Sequence, residues 1–451
     1  MAGQILVPFR GTGSGTDELS WGQREMWGAM CRQRSSLPVG GAQRLPAGTS
    51  VDDIVATLRY VMSRHQSLRT RLRFDADGRP RQVVAESGVA TLEVVDAGDA
   101  DPAEVAGRLD RRYHDTNFDY TDEWPVRMAV VLAAGTPSHM VVRYCHLAAD
   151  GEGVAVMIAD LANLDRATGL PTQPLDGKEP LEQARWQLGP AGQRQSRAAL
   201  RHWEGLLRAV PPRRFGRSTD RRTPRHWELG YHSPAAHLAA AVIAGRTGTD
   251  TTPVLLAAFA VVLARLTEIN PAVTQVIVSN RFRPGLGGTV STVNHPGLCM
   301  IDVAGVSFDE VVGRAWRSTM SAYKHAYYDP DQRDELIASI GRERGAELDL
   351  SCYFNDRRAR TRPERTPSTH EPRAALPLSA LRWEPPREVP VERLFFHVNN
   401  VEDTVDLSVV ADTHHVSPGQ LEQLTREFEA LLVDAALDPQ TATVATASTS
   451  R

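Results

Sequence analysis

The chain has 451 residues, more than one hydrophobic core usually supports, so two subdomains are expected. With 41% hydrophobic and 24% charged residues it is an ordinary globular mixture, and a net charge of −4 gives no global attraction to nucleic acid or an anionic membrane. Neither partner is expected. Only Lys178 and Lys324 among the 51 basic residues are lysine. Because arginine stays protonated, Schiff-base and lysine general-base chemistry are nearly excluded. The N-terminal MAGQILVPFRGTGSGTDEL lacks a basic stretch followed by an apolar core, and no apolar run approaches the ~20 residues of a membrane-spanning helix. A cytoplasmic protein is expected. The cysteines Cys31, Cys145, Cys299 and Cys352 are too scattered for a zinc site and too few to staple a chain of this size, which predicts free thiols and no metal centre.

In chain order, LSWGQREMW predicts a first helix, with Ser20 and Gln23 at capping-box spacing. SVDDIVATLRYVMSRH predicts a second, capped by Ser50, with Ile54, Leu58, Val61 and Met62 on its buried face. Strands follow in SLRTRLRF, RQVVAE and TLEVVD, then a helix across DPAEVAGRLDRRYHDT and a strand pair, VRMAVVLA and HMVVRYCH, around Gly135. EGVAVMIADLANLDRAT has helical spacing, and an α/β unit is complete by about residue 170. Residues 1–175 are therefore expected as one subdomain. The Pro-, Gln- and Arg-rich residues 176–230 are expected as a connecting segment, interrupted by one helix near QSRAALRHWEGLLRAV.

Residues 231–440 are expected as the second subdomain. TTPVLLAAFAVVLARLTEI is apolar nearly all round, which predicts a buried helix with Thr252 as N-cap and Pro253 in its first turn. QVIVSN, CMIDV, LDLSCYF and LFFHVNN predict strands; FDEVVGRAWRSTMSAYKHAY and SPGQLEQLTREFEALLVDAAL predict helices. DRRARTRPERTPSTHEPR, Asp356 to Arg373, reads as an irregular loop, either solvated or a patch for an acidic partner, and residues 441–451 as a disordered tail. His414 and His415 read as a strand-to-helix loop.

The chemistry is expected in YCHLAADGEG, Tyr144 to Gly153. A histidine at the end of a strand, before an Asp-Gly turn, faces a loop, and such loops carry chemistry on rigid scaffolds. The competing reading is a satisfied structural histidine among apolar neighbours.

Several separated stretches carry a resemblance to the condensation domains of nonribosomal peptide synthetases and their relatives in the chloramphenicol acetyltransferase-like superfamily. LSWGQREMW resembles the family's S-x-A-Q-x-x-x-W helix, with Gly22 for alanine, and RHQSLRTRL, Arg64 to Leu72, is similar to its R-H-x-x-L-R-T segment. YCHLAADGEG falls where the family has H-H-x-x-x-D-G, so His146, Asp150 and Gly151 match, while Cys145 stands in place of the first histidine. In the second half SNRFRPGL resembles the segment that supplies an arginine to the motif aspartate, here Arg281. VSTVNHPGLCMIDV is similar to F-V-N-T-x-P-L-R, with Asn294 matching. KHAYYDP is weakly similar to an H-x-x-x-P segment, and the family's tryptophan-containing and R-D-x-S-R segments are not recognisable. The resemblance spans about residues 18 to 436.

The resemblance implies an α/β fold of two chloramphenicol acetyltransferase-like subdomains arranged in a V around a central cleft or tunnel. It implies a free-standing acyltransferase, with no adenylation, carrier or thioesterase segment attached. Such an enzyme joins a thioester-tethered acyl or aminoacyl donor to a small-molecule amine or alcohol, with an acyl or peptidyl carrier protein as partner. No intrinsic cofactor is implied, since a phosphopantetheine-tethered or CoA thioester is the donor. His146, Asp150 and Gly151 are the implied catalytic set. A neutral imidazole, pKa near ~6.5 when unperturbed, suits His146 as general base, or it orients the acceptor. Asp150 reads as the partner of Arg281 from the other subdomain, with a direct acid or base role as the rival. Gly151 either points its N–H at an oxyanion or simply makes a turn. Cys145 is expected to support the site from a buried slot, since neighbours on a strand face opposite ways, against a Cys-His couple. Tyr144 and Asn294 are expected along the substrate channel. The alternatives are a catalytically silent domain that recruits partner proteins and, third, epimerisation of a tethered residue.

Overall fold

A computed structural model describes residues 2–358, 367–386 and 392–444. The chain forms two compact units. The first is Met1–Gln195 with Ser279–His295, and the second is Ser196–Val278 with Pro296–Arg451.

In the first unit the elements run β1 (Ala2–Arg10), β2 (Gly15–Glu18), α1 (Trp21–Gln33), β3 (Val39–Arg44), α2 (Val51–Arg64), β4 (Thr70–Phe74), β5 (Pro80–Val84), β6 (Ser87–Asp96), α3 (Pro102–Asp115), β7 (Val126–Ala133), β8 (Thr136–Tyr144), α4 (Gly151–Asp160) and α5 (Pro180–Leu188). A five-stranded sheet has the order β1-β6-β7-β8-β3, and β2, β5 and β4 form a small second sheet. Only β6 and β7 pair in parallel within the larger sheet. Its core joins Val7, Ile54, Leu58, Val61, Leu92 and Val130, so the apolar face of α2 lies against the strands. Ser20 caps α1 through a capping box with Gln23, and Ser50 caps α2 likewise with Asp53. These caps satisfy backbone N–H groups that helix starts leave unpaired.

The helix α6 (Pro190–Ala209) leads into the second unit, followed by β9 (His226–Ser233), α7 (Pro234–Thr247), α8 (Thr251–Thr267), β10 (Ala272–Val278), β11 (His295–Ile301), α9 (Phe308–His325), α10 (Pro330–Glu343), β12 (Cys352–Asp356), α11 (Glu371–Ala375), β13 (Ala380–Trp383), β14 (Leu394–Asn399), β15 (Val405–Asp412) and α12 (Pro418–Leu437). One seven-stranded sheet has the order β11-β10-β12-β14-β15-β9-β13. Its core packs α7, α8, α9 and α12 on residues such as Phe354, Phe396 and Val409. No single helix among the described residues is long and apolar enough to cross a membrane, and the apolar α7 and α8 lie in this core.

Several expectations need correction. The α8 N-cap is Asp250 rather than Thr252. The stretch 176–230 holds two helices, α5 and α6, and α5 folds with the first unit. Thr441 to Val444 do not fray from the body, since Ala442 bridges Ser307 and Val444 bridges Ala304. Residues 445–451 of the expected tail and 359–366 of the expected Arg-rich loop lie outside the described residues. His414 and His415 form a turn between β15 and α12.

Candidate functional site

Strand β8 ends at Tyr144, and Cys145 to Ala149 turn the chain toward α4, whose N-cap is Asp150. From Tyr144 to Asp150 every residue except His146 is buried; His146 is half-buried. Burial of its neighbours anchors the turn; His146 is only partly accessible, with its Nδ1 buried. The His146 N–H donates to the Ser36 carbonyl oxygen (3.1 Å), and its own carbonyl accepts from the Thr292 hydroxyl.

Asp150 is 3% exposed and its carboxylate is saturated with donors. Oδ1 accepts from Arg281 Nη2 (2.7 Å) and from the Gly153 N–H (2.7 Å), and Oδ2 accepts from the Val293 N–H (3.2 Å). Arg281 Nη2 also donates to the carbonyls of Thr289 (3.2 Å) and Ser291 (3.1 Å). A carboxylate so engaged is a brace, since its lone pairs already hold the start of α4 and the 289–293 backbone together. Arg281 was expected from the other subdomain, but it lies in Ser279–His295, the excursion between β10 and β11 that folds with the first unit.

This excursion is itself pinned to the first unit. The Lys178 N–H donates to the Gly285 carbonyl (2.8 Å), and the Thr289 hydroxyl donates to the Lys178 carbonyl (3.1 Å). A Cβ on Gly288 would stand 1.8 Å from the Asp176 carbonyl oxygen, so only glycine permits that backbone contact.

Gly153 carries a constraint that the motif comparison missed. A Cβ there would sit 2.9 Å from Arg281 Nη2 and 3.1 Å from Asp150 Oδ1, whereas one on Gly151 would meet no protein atom within 4 Å. Gly153→Ala should cost about 1–3 kcal/mol by overpacking the brace. Gly151→Ala should melt like wild type, and thermal denaturation of the pair checks both.

Cys145 is 1% exposed and packs with Leu19, Met30, Leu72 and Phe118. Its Sγ lies 3.9 Å from the Ser36 carbonyl oxygen, and burial pushes its thiol up to about 12. Cys145 and His146 lie just past the strand end, so strand alternation does not orient them. Burial is what removes Cys145 from nucleophilic work. Alkylation of native protein at about pH 8.5 should modify exposed Cys31 and spare the buried Cys145, Cys299 and Cys352. Mass mapping that finds Cys145 labelled before unfolding would contradict this.

Tyr144, expected along a channel, is 7% exposed in the first unit's core beside Ala148, Met157 and Val290, and burial raises its phenol. Asn294 is half-buried directly after Val293, whose N–H reaches Asp150. His65 is 0% exposed, its Nε2 3.4 Å from Asp160 Oδ2, and burial lowers its basicity. Arg64 holds the same carboxylate in two hydrogen bonds of 2.9 and 3.0 Å. The RHQSLRTRL stretch is therefore part of the scaffold. Gly22, where the family has alanine, is accounted for by α1 packing, because a Cβ there would stand 2.2 Å from the Thr292 carbonyl oxygen. Among the described residues no three His, Cys, Asp or Glu side chains group as a metal would require.

Comparison with known proteins agrees with this architecture. The condensation domain family model matches residues 32–330. An isonitrile lipopeptide synthase of Mycobacterium tuberculosis is 30% identical over 336 residues, 68% of this chain but only 13% of that protein. Among solved structures, one described for condensation domain-mediated chain release from the enacyloxin polyketide synthase is 18% identical with a TM-score of 0.71, covering 95% of this chain and 85% of that one. The complex of the X-domain and OxyB from teicoplanin biosynthesis is 20% identical, with a TM-score of 0.69 and 96% coverage of both chains. The chain therefore belongs to the condensation-domain family of nonribosomal peptide synthetases and has its chloramphenicol acetyltransferase-like α/β fold.

Proposed function

We propose that this chain is an acyltransferase that condenses a thioester-tethered acyl or aminoacyl donor with an amine or alcohol. The observation that carries the reading is the half-buried His146 on a turn whose other residues are buried and whose far end is braced by Asp150 and Arg281. In this reaction the acceptor's nitrogen or oxygen attacks the thioester carbonyl carbon and forms the C–N or C–O bond, His146 takes its proton or orients it, and the C–S bond breaks as that proton passes to the departing sulfur. The donor is a phosphopantetheine thioester on an acyl or peptidyl carrier protein, or CoA. Asp150 and Arg281 hold the turn, and the lack of any protein atom within 4 Å of a Cβ at Gly151 leaves room beside it. Tyr144 supports the turn from the core, and Asn294 follows the strand of backbone that the brace holds.

A silent recruitment domain is the second reading, favoured by Cys145 in place of the motif's first histidine. The fold serves both uses among similar structures, one described for chain release and one in complex with OxyB. The two are separated by incubating purified protein with acyl-carrier and acyl-CoA thioesters plus amine or alcohol acceptors and following product mass. Acyltransfer yields the amide or ester. Partner binding with no product from any donor would transfer the assignment to recruitment.

A further inference from the structure

We propose that Thr292 is a positioning residue for His146, holding the imidazole-bearing turn in place through its side-chain hydroxyl. The inference rests on the reading of His146 given above and deepens it.

The backbone of His146 is gripped from two directions. On one side its N–H donates to the Ser36 carbonyl oxygen (3.1 Å), and Ser36 is itself fixed. The Ser36 N–H donates to Asn117 Oδ1 (2.8 Å), its hydroxyl lies 2.9 Å from the Tyr120 hydroxyl, and that same hydroxyl accepts from the Phe118 N–H (2.8 Å). On the other side the His146 carbonyl accepts from Thr292 Oγ1. Thr292 is 0% exposed, so its hydroxyl is not there to meet solvent.

The backbone that presents this hydroxyl has little freedom. Before it, the Ser291 carbonyl accepts from Arg281 Nη2 (3.1 Å); after it, the Val293 N–H donates to Asp150 Oδ2 (3.2 Å). Its own carbonyl lies against Gly22 of α1, so close that a Cβ on Gly22 would be 2.2 Å away. Thr292 thus joins α1, the Asp150 brace and the peptide that follows His146. Removing the hydroxyl frees that peptide to rotate, and since a full 1 Å misplacement costs up to ~10²-fold in a reaction limited by alignment, a smaller swing at the imidazole costs about 10-fold. A purely structural threonine would satisfy a buried acceptor and nothing more. Its loss would lower stability without changing the histidine ring's surroundings.

The test uses the full chain with 13Cε1-labelled histidine, the His146 signal being identified by its disappearance in His146→Ala. Thr292→Val, which keeps volume and loses the hydroxyl, is expected to move the His146 signal and its titration midpoint, while Thr292→Ser restores both. With a thioester donor that the wild type uses, Thr292→Val should lower kcat by about 10-fold with KM within about 2-fold, and Thr292→Ser should stay within about 2-fold of wild type. If Thr292→Val does not fold, Thr292→Ala carries the same comparison without the added branch. A His146 signal and kcat unchanged in the valine or alanine variant would overturn the proposal, as would failure of Thr292→Ser to restore them. The resonance comparison needs no substrate. A wild type that turns over no donor therefore defeats the acyltransferase reading while Thr292 is still decided.

Discussion

Asp150→Ala is expected to lower unfolding free energy by about 3–5 kcal/mol, the cost of stranding the other member of a buried ion pair. The Asp150 and Arg281 side chains are 4% and 8% exposed, so water cannot replace the lost partner. The substitution also unpairs the N–H groups of Gly153 and Val293. An unfolding transition of a unit this size should fall by roughly 10 °C. Asp150→Asn keeps the shape and one acceptor and should fall less. Melting temperatures of wild type and Asp150→Ala within ~2 °C would show that the brace contributes little.

His146→Ala is expected to do the reverse, lowering condensation by about 10²-fold or more with little loss of stability. Its side chain is half-buried, and alanine retains the two backbone hydrogen bonds to Ser36 and Thr292. Proton transfer and acceptor alignment act at the transition state, so kcat should fall while carrier-protein affinity is preserved. Opposite responses of Asp150 and His146, one in melting temperature and one in turnover, would separate the brace from the reacting group. A His146→Ala protein that melts as low as Asp150→Ala would mean that the imidazole is itself structural.

The helices that announce themselves with local chemistry were legible in the sequence. Ser20 with Gln23 at α1, Ser50 at α2 and Ser417 with Gln420 at α12 are caps whose hydrogen bonds close within three residues. Elements stabilised by distant partners were not. β1 carries Pro8 and gains its identity from pairing with β6, and β9 gains its identity from β15 and β13. Helix α5 hid because its buried face mixes glutamines with Leu181 and Ala184: Gln183 Nε2 donates to the Lys178 carbonyl, and Gln187 Oε1 accepts from the Trp21 backbone N–H. In the site, the motif letters pointed to His146, Asp150 and Arg281, and the brace between the last two is present. Gly153 was passed over because its tightest constraint arises from Arg281, far along the chain. Thr292 was passed over for the same reason: a hydroxyl has meaning only beside the carbonyl it reaches. Tyr144 sits at a strand position whose alternation does not reveal that it joins the first unit's core with Met157 of α4.

The role of His146 is tested most directly by one comparison: single-turnover transfer from a carrier-bound acyl thioester to an amine or alcohol acceptor, followed by product mass, with wild type and His146→Ala side by side. The prediction is product from wild type and about 10²-fold slower formation from the variant, with both proteins folded and both binding the carrier. Equal rates from the two would contradict the assignment of His146 as the group that handles the acceptor.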